Sequence, residues 1–323
     1  MQTLNFAIIG VGRFGRHYIR LLQEMKGVKL VAVAARTKKS LGEVSHLLPV
    51  DVLQSTNPDA MLRKKDIDCV VIATPPSTHF SLAKKAIIAG KHVLIEKPMV
   101  KNISEAKKLR KIVKKSRKTF MVAHQYVYND NVNRLKGLIK KGSLGKILFF
   151  EAEHFYPGPM RKDAGCFLDA GTHQLSVLQH ILRPGRIKSV SGASVSFSGS
   201  KFDDLTSATI GFSGGITAYI SVCWCYPEKT RFFAVVGSRK TAIYDDVAGK
   251  LTVYNTDGTN KPAGKSRALT PKAHGKTTQK EPLKNELGHF INCVRRNAKP
   301  LTGIESSYEI SEWIDKIGKS LKK

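Results

Sequence analysis

The stretch Gly10-Val11-Gly12-Arg13-Phe14-Gly15 decides the fold of this chain. An apolar run, Phe6-Ala7-Ile8-Ile9, precedes it directly, and a helical pattern follows over residues 16–25. A dinucleotide-binding fold needs this order of strand, glycine turn and helix. Gly10 permits the tight turn, Gly12 lets the backbone approach a pyrophosphate, and Gly15 lets the helix pack on the strand. The predicted dinucleotide contacts here are Gly10, Gly12, Arg13, Phe14 and Gly15.

The end of the second predicted strand, residues 29–34, bears on which dinucleotide is bound. NAD-binding folds carry an Asp or Glu about 20 residues after the glycines, where it binds the ribose 2′-hydroxyl. Here Arg36, Thr37 and Lys38 follow the strand, and no acid is present. A planar guanidinium suits a 2′-phosphate, so these three residues predict NADP in preference to NAD. The alternative is that Arg36 stacks on the adenine and the lysines form solvated surface.

Short apolar strands and helices alternate up to residue 123, which predicts a doubly wound parallel sheet. Two strands of this series end in residues that suit a ligand site. Residues 69–74 lead into Thr74 and Pro75, with His79 one turn later, and residues 93–95 lead into Glu96-Lys97-Pro98. Since ligands bind at the carboxyl ends of parallel strands, we predict that Thr74, Pro75, His79, Glu96 and Lys97 contact the cofactor.

The character of the sequence changes after residue 123. Between residues 147 and 245, strand-like runs follow one another with few helices, which predicts a mostly antiparallel sheet. Residues 255–280 are polar and predict a long loop, and helices are predicted at 283–296 and 306–321. The predicted fold class is α/β. It has a dinucleotide-binding Rossmann domain (1–123) and a substrate-binding or oligomerisation α+β domain (124–323) with a large open sheet.

Composition narrows the classes of function. The 323 residues carry a formal charge of +29, which would suit nucleic acid or anionic ligands. Lys and Arg are spread along the whole chain, however, and no nucleic-acid-binding motif occurs, so a solvated basic surface is favoured. No apolar run approaches the ~20 residues of a membrane span. The odd number of cysteines, five, and the lack of a secretory pattern at the N-terminus lead us to expect a cytoplasmic protein.

In these motifs the sequence resembles the Gfo/Idh/MocA oxidoreductase family over nearly its whole length. The resemblance rests on the glycine stretch, on residues 73–79, on Glu96-Lys97-Pro98 and on Asp169-Ala170-Gly171-Thr172-His173. It implies a Rossmann domain, an open-sheet C-terminal domain, a cis Lys97–Pro98 bond, and oxidation or reduction of a sugar or cyclitol hydroxyl with NAD(P). Residues 124–129 look closest to bacterial nucleotide-sugar and cell-wall sugar dehydrogenases. Gln174 departs from the family, many members of which carry Asp or Asn there.

Hydride transfer from an alcohol also moves a proton, so a proton acceptor must lie within hydrogen-bond reach. His173 is the predicted acid or base, because the pKa of an imidazole lies near neutral pH. If a helix begins at Asp169, then Asp169 and His173 share one face of its first turn, and Asp169 would orient the imidazole or bind a substrate hydroxyl.

Lys97 would stabilise the developing alkoxide or share its proton. Glu96 would hold ribose hydroxyls or anchor the turn. The predicted catalytic residues are Lys97, Asp169 and His173.

The same three residues, with Tyr126 and Arg161, form the predicted substrate site. Arg161 and its neighbour Lys162 would bind a phosphate or carboxylate, or lie in a solvated loop. No His, Cys or Asp cluster has the spacing of metal ligands, so no metal is predicted.

The predicted function is hydride transfer between NADP(H) or NAD(H) and a sugar or nucleotide-sugar hydroxyl, in a homodimer or homotetramer. The alternatives are a cyclitol or dihydrodiol dehydrogenase, and a nicotinamide-nucleotide-binding regulatory protein without turnover.

Overall fold

The computed structural model describes residues 3–158, 160–161, 163–256, 262–268 and 281–321. The chain divides into two compact units, Met1–Ala123 with Glu286–Ser311, and His124–Asn285 with Glu312–Lys323. Residues 286–311 thus lie in the first unit, whereas the predicted domain division places them in the second half. The reason is local packing, because the ring of Phe290 lies edge-on against that of Phe6, with 6.2 Å between centroids. The division into folding domains stays a prediction.

The first unit contains a six-stranded parallel sheet in the order β3-β2-β1-β4-β5-β6, which confirms the predicted doubly wound fold. The central strands are buried on both faces, which is why they read as continuous apolar runs, whereas the edge strand at residues 53–55 is largely exposed. The strands are β1 (Leu4–Ile9), β2 (Val28–Ala34), β3 (Leu53–Ser55), β4 (Cys69–Ile72), β5 (His92–Glu96) and β6 (Phe120–Ala123). The helices between them are α1 (Arg13–Glu24), α2 (Lys38–Gly42), α3 (Pro58–Leu62), α4 (Pro76–Ile88) and α5 (Ile103–Lys115).

Two glycines of the first turn are required by close backbone contacts. Gly10 has φ +99°, and a Cβ there would lie 2.4 Å from the carbonyl oxygen of Ala73. A Cβ on Gly15 would lie 2.0 Å from the carbonyl oxygen of Gly10. No side chain fits at either distance, so Gly10 lets the turn after β1 pass beside the end of β4, and Gly15 lets α1 pack directly on that turn.

The second unit contains an eight-stranded sheet in the order β14-β13-β12-β11-β7-β10-β9-β8. Neighbouring strands are antiparallel except β7 and β10, which confirms the predicted, mostly antiparallel sheet. The strands are β7 (Ile147–Pro157), β8 (Ile187–Val195), β9 (Leu205–Phe212), β10 (Thr217–Cys223), β11 (Cys225–Gly237), β12 (Lys240–Asp245), β13 (Lys250–Thr256) and β14 (Pro262–Ala268). The helices α6 (Asp130–Lys140) and α7 (Thr172–Leu182) belong to this unit, and α8 (Pro282–Arg296) and α9 (Ile304–Leu321) close the chain.

The predicted loop over residues 255–280 needs correction where the structure describes it. β13 continues to Thr256, and residues 262–268 pair with it as β14, although their polar composition resembles that of a loop. Backbone pairing with a neighbouring strand supplies what side-chain composition does not. The remaining residues of that segment lie outside the described ones. In the described part of the chain, no helix combines the length and the apolar character needed to cross a membrane.

The contact between Gly15 and Gly10 gives the first prediction. We expect Gly15→Ala to lower the free energy of unfolding by about 3 kcal/mol, because the methyl group would meet backbone atoms that cannot move aside. Gly42→Ala is the matched control, since a Cβ at Gly42 meets no heavy atom within 4 Å. Urea unfolding followed by circular dichroism measures both, and equal stability of the two variants would contradict this account of the turn.

Candidate active site

The start of α1 is built to receive an anion. Gly12 is its N-cap residue, no side chain in the described part of the chain caps the helix, and its first turn carries no acid. A Cβ on Gly12 would meet no heavy atom within 4 Å, so the space above this residue is open. The free N–H groups of a helix N-terminus carry partial positive charge and suit a pyrophosphate. Arg13 is exposed beside them and Phe14 is half-buried.

The residues predicted to select the dinucleotide lie at the carboxyl end of β2. Thr37 caps α2, because its hydroxyl accepts the backbone N–H of Ser40 at 3.2 Å. Arg36 and Lys38, on either side of Thr37, are exposed. Thr37 therefore shapes the turn, while the two cations are left accessible to a ligand.

His79 ties together the two loops that follow β4 and β5. It is fully buried, and its two ring nitrogens each lie 2.8 Å from a backbone carbonyl oxygen, those of Thr74 and Pro98. The Lys97–Pro98 bond, in the loop after β5, is cis, as the family resemblance implies. We therefore expect His79 to act on the dinucleotide site by holding Thr74, Pro75 and Lys97 in place.

Glu96 is buried at the end of β5 and acts within its own turn. One carboxylate oxygen accepts the Tyr18 hydroxyl at 2.9 Å, and the other accepts the backbone N–H of Lys97 at 3.2 Å. Lys97 is partly exposed, whereas the residues on both sides of it are buried. This arrangement favours the anchoring role predicted for Glu96 and leaves Lys97 as the group that can reach a ligand.

Asp169 lies in the second unit and is held by two side chains. Its carboxylate accepts the Tyr156 hydroxyl at 3.3 Å and pairs with Arg161 across 3.6 Å, and 16% of its side chain is exposed. Arg161 also pairs with Asp163 at 3.1 Å. Two carboxylates thus balance the Arg161 charge, so this structure does not favour Arg161 as a phosphate site. Its predicted companion Lys162 lies outside the described residues.

The helix predicted to start at Asp169 begins differently. Residues Phe167–Gly171 form a π-helical turn, and α7 starts at Thr172. The Thr172 hydroxyl donates to the Leu168 carbonyl at 2.6 Å, and a Cβ on Gly171 would lie 2.8 Å from the Phe167 ring. These two contacts favour the wider turn, a form often found at functional sites.

His173 sits near the start of α7 among aromatic side chains. It is 6% exposed, and the ring of Tyr126 meets it edge-on, with 4.9 Å between centroids. The His154 ring lies 6.3 Å away and itself packs against Tyr156 at 4.8 Å. Burial raises the pKa of both Tyr126 and Tyr156, so their hydroxyls stay protonated at neutral pH. His173 is therefore nearly buried among aromatic side chains, and Tyr126 beside it carries a hydroxyl group.

The polar side chains that support Tyr126 are not among the site residues predicted from the sequence. Arg231 lies 4.9 Å over the Tyr126 ring and binds Asp246 through Nε at 2.7 Å. The Tyr244 hydroxyl donates to the other oxygen of Asp246 at 2.8 Å. The register of β11 against β12 would have revealed the ion pair, because it pairs Phe232 with Asp245 and so brings Arg231 beside Asp246, and register is not written in either strand alone. Among the described residues, no group of three or more His, Cys, Asp or Glu could hold a metal ion.

Comparison with known families agrees with this geometry. Residues 4–124 match the GFO_IDH_MocA model, described as an oxidoreductase family with an NAD-binding Rossmann fold. Residues 132–243 match the C-terminal domain of the same family. The two matches lie side by side and together span more than half of the chain.

Individual relatives differ in how much they share. The uncharacterized oxidoreductase YdgJ of Escherichia coli K12 is 38% identical over 100 residues, which are 31% of this chain and 29% of that protein. The 2,7-anhydro-N-acetylneuraminate hydratase of the same organism is 26% identical over 77% of this chain and 70% of its own length. The structure of levoglucosan dehydrogenase with NADH and levoglucosan has a TM-score of 0.88 at 19% identity, covering 99% of this chain and 97% of that one. This last likeness concerns the fold.

The pair of Arg231 and Asp246 gives the second prediction. The two side chains are 14% and 11% exposed, so Arg231→Gln leaves a nearly buried carboxylate without its cation and should destabilise the protein by about 3 kcal/mol. Arg20→Gln is the matched control, because the Arg20–Glu24 pair is 46% and 38% exposed and should contribute less than about 0.5 kcal/mol. Thermal unfolding measures both, and similar losses in the two variants would contradict a supporting role for Arg231.

Proposed function

The chain belongs to the Gfo/Idh/MocA family of NAD(P)-dependent oxidoreductases, and from this we propose that it oxidises or reduces a hydroxyl group of a sugar or nucleotide-sugar. One observation carries the proposal. The same chain carries an open glycine turn and a partly exposed Lys97 in its first unit, and a partly exposed Asp169 four residues before His173 in its second.

The chain's own residues fit a nicotinamide dinucleotide. The N–H groups at the start of α1 would hold the pyrophosphate, with Gly12 leaving the space for it. Arg36, Thr37 and Lys38 would take the adenosine ribose, and the two exposed cations favour a 2′-phosphate. Thr74, Pro75 and Lys97 would lie along the nicotinamide half. When bound, NAD(P) supplies or accepts the hydride.

The protein must then move a proton at the reacting oxygen. We assign this step to His173, which takes the hydroxyl proton during oxidation and returns it during reduction. Asp169, held by Tyr156, binds a neighbouring hydroxyl of the sugar. The ammonium group of Lys97 stabilises negative charge on the same oxygen. Since the charge of Arg161 is already balanced by two carboxylates, we infer that the residues around Asp169 bind hydroxyl groups of the substrate rather than an anionic group.

A redox-neutral reaction is the second candidate, because one relative is named as a hydratase. Hydration leaves the nicotinamide unchanged after turnover, whereas a dehydrogenase produces one reduced nicotinamide per product molecule. A panel of sugars, nucleotide-sugars and cyclitols, followed by absorbance of the reduced nicotinamide and by product analysis, separates the two. A protein that binds dinucleotide without converting any of these compounds would instead be regulatory.

The roles of Lys97 and His173 give the third prediction. Lys97→Ala and His173→Ala should each lower kcat at least about a hundredfold, because each removes a group that acts on the reacting oxygen. Dissociation constants for NADPH, measured by fluorescence, should stay within about threefold of the unmodified protein, a small change in binding free energy.

Exposed residues of the same types provide the controls. Lys115→Ala and His46→Ala change side chains on the surface of the first unit and should leave kcat unaltered. Full activity in both the Lys97 and His173 variants would show that the roles are wrongly assigned.

The cations after β2 give the fourth prediction. NADPH should bind more tightly than NADH, and Arg36→Gln should weaken NADPH roughly tenfold, about 1.4 kcal/mol, with little effect on NADH. Arg63→Gln, an exposed arginine at the end of α3, is the control. Isothermal titration calorimetry gives the dissociation constant of each dinucleotide, and tighter binding of NADH than of NADPH would contradict the NADP assignment.

A further inference from the structure

A tyrosine hydroxyl lies between two buried carboxyl groups behind the Lys97 turn. Tyr18 Oη is 2.9 Å from Glu96 Oε1 and 3.3 Å from Glu286 Oε1. Tyr18 and Glu286 are fully buried, and Glu96 is nearly so. All three residues belong to the first unit.

One phenolic proton cannot serve two carboxylates. Both oxygens of Glu96 already act as acceptors, one for Tyr18 and one for the Lys97 backbone N–H. Glu96 is the nearer of the two carboxyl groups, at 2.9 Å against 3.3 Å, so we assign the Tyr18 proton to Glu96, which leaves the lone pairs of the phenolic oxygen for Glu286. An ionised Glu286 would meet those lone pairs, whereas a protonated Glu286 donates a hydrogen bond to them.

The second oxygen of Glu286 leads to the same conclusion. Within the described residues, Glu286 Oε2 is buried and has no hydrogen-bond partner. An ionised carboxylate with an unpartnered oxygen is very costly in such a place, and the carbonyl oxygen of a neutral acid is much less so. Burial, together with the charge of Glu96, raises the pKa of Glu286 well above its usual range.

The packing of α8 explains why Glu286 lies under Tyr18. Phe290, one turn after Glu286, contacts Phe6 of β1, and Gly288 faces Met25, whose methyl carbon would lie 3.6 Å from a Cβ at that position. Further along, Arg295 donates to the Gly27 carbonyl at 2.7 Å. These contacts hold α8 against β1 and against the residues that follow α1, so packing sets the position of Glu286.

We propose that Glu286 is a neutral carboxylic acid which, through Tyr18, positions Glu96 and the turn that carries Lys97. The hydrogen bonds converge on Glu96: Glu286 donates to Tyr18, Tyr18 donates to one oxygen of Glu96, and the Lys97 N–H donates to the other. The network joins the dinucleotide-binding helix α1 to the turn after β5. Its functional consequence rests on the proposed role of Lys97, whereas the protonation of Glu286 does not.

The protonation is tested on the intact protein without any substrate. At about pH 8, ordinary carboxyl groups are ionised, so an infrared carbonyl band of a protonated carboxyl group should remain in the unmodified protein and be lost in Glu286→Gln. Glu228→Gln, an exposed glutamate, should leave the band in place. If the unmodified protein shows no such band, the proposal is wrong whatever reaction the protein catalyses.

The positioning role is tested by kinetics with the best compound from the substrate panel. Glu286→Ala and Tyr18→Phe should each lower kcat about tenfold while KM changes little, because the Lys97 turn is displaced. Glu286→Gln should restore kcat to within about twofold of the unmodified protein, since the amide also donates to Tyr18. An unaltered kcat in Glu286→Ala, or a loss in Glu286→Gln as large as in Glu286→Ala, would overturn the proposal. If Glu286→Ala does not fold, Tyr18→Phe and Glu286→Gln give the same decision.

Discussion

The first unit depends on the direct contact between Gly15 and the carbonyl of Gly10. Because no side chain separates α1 from β1, the N-terminus of the helix is fixed over the carboxyl edge of the sheet. The same contact also fixes Tyr18, one turn further along α1, at a position where its hydroxyl reaches Glu96 at the end of β5. A steric constraint on two glycines therefore governs both the place where a pyrophosphate would bind and the electrostatics of the turn beside Lys97.

In the second unit, charged side chains are buried beneath the aromatic residues around His173. The guanidinium of Arg231 is neutralised by Asp246 and stacks on the ring of Tyr126. Tyr126 in turn supports His173. The buried Arg231–Asp246 pair thus supports the imidazole of His173 through Tyr126. Asp169, in contrast, stays partly exposed.

Much of this architecture could be predicted from the sequence, because the decisive signals are local. The glycine turn, the apolar strands and the charged residues after β5 each need only a few neighbouring positions. The contacts of Glu286 and Arg231 could not be predicted, since they join residues that lie far apart in the chain and depend on helix packing and strand register. The π-helical turn was missed because Thr172 and Gly171 also fit an ordinary helix. The strand at 262–268 was missed because backbone pairing, rather than composition, defines it.

The π-helical turn at Phe167–Gly171 contains one residue more than an α-helical path between the same end points would need. Successive residues of an α-helix are rotated by about 100° around its axis. Removal of one residue from this turn would therefore rotate Asp169 away from Tyr156 and Arg161, its present partners. A substitution that keeps the count and adds no side chain at Gly171, where a Cβ would meet the Phe167 ring, leaves that orientation intact. In this segment, evolution is therefore freer to change the identity of a residue than the number of residues.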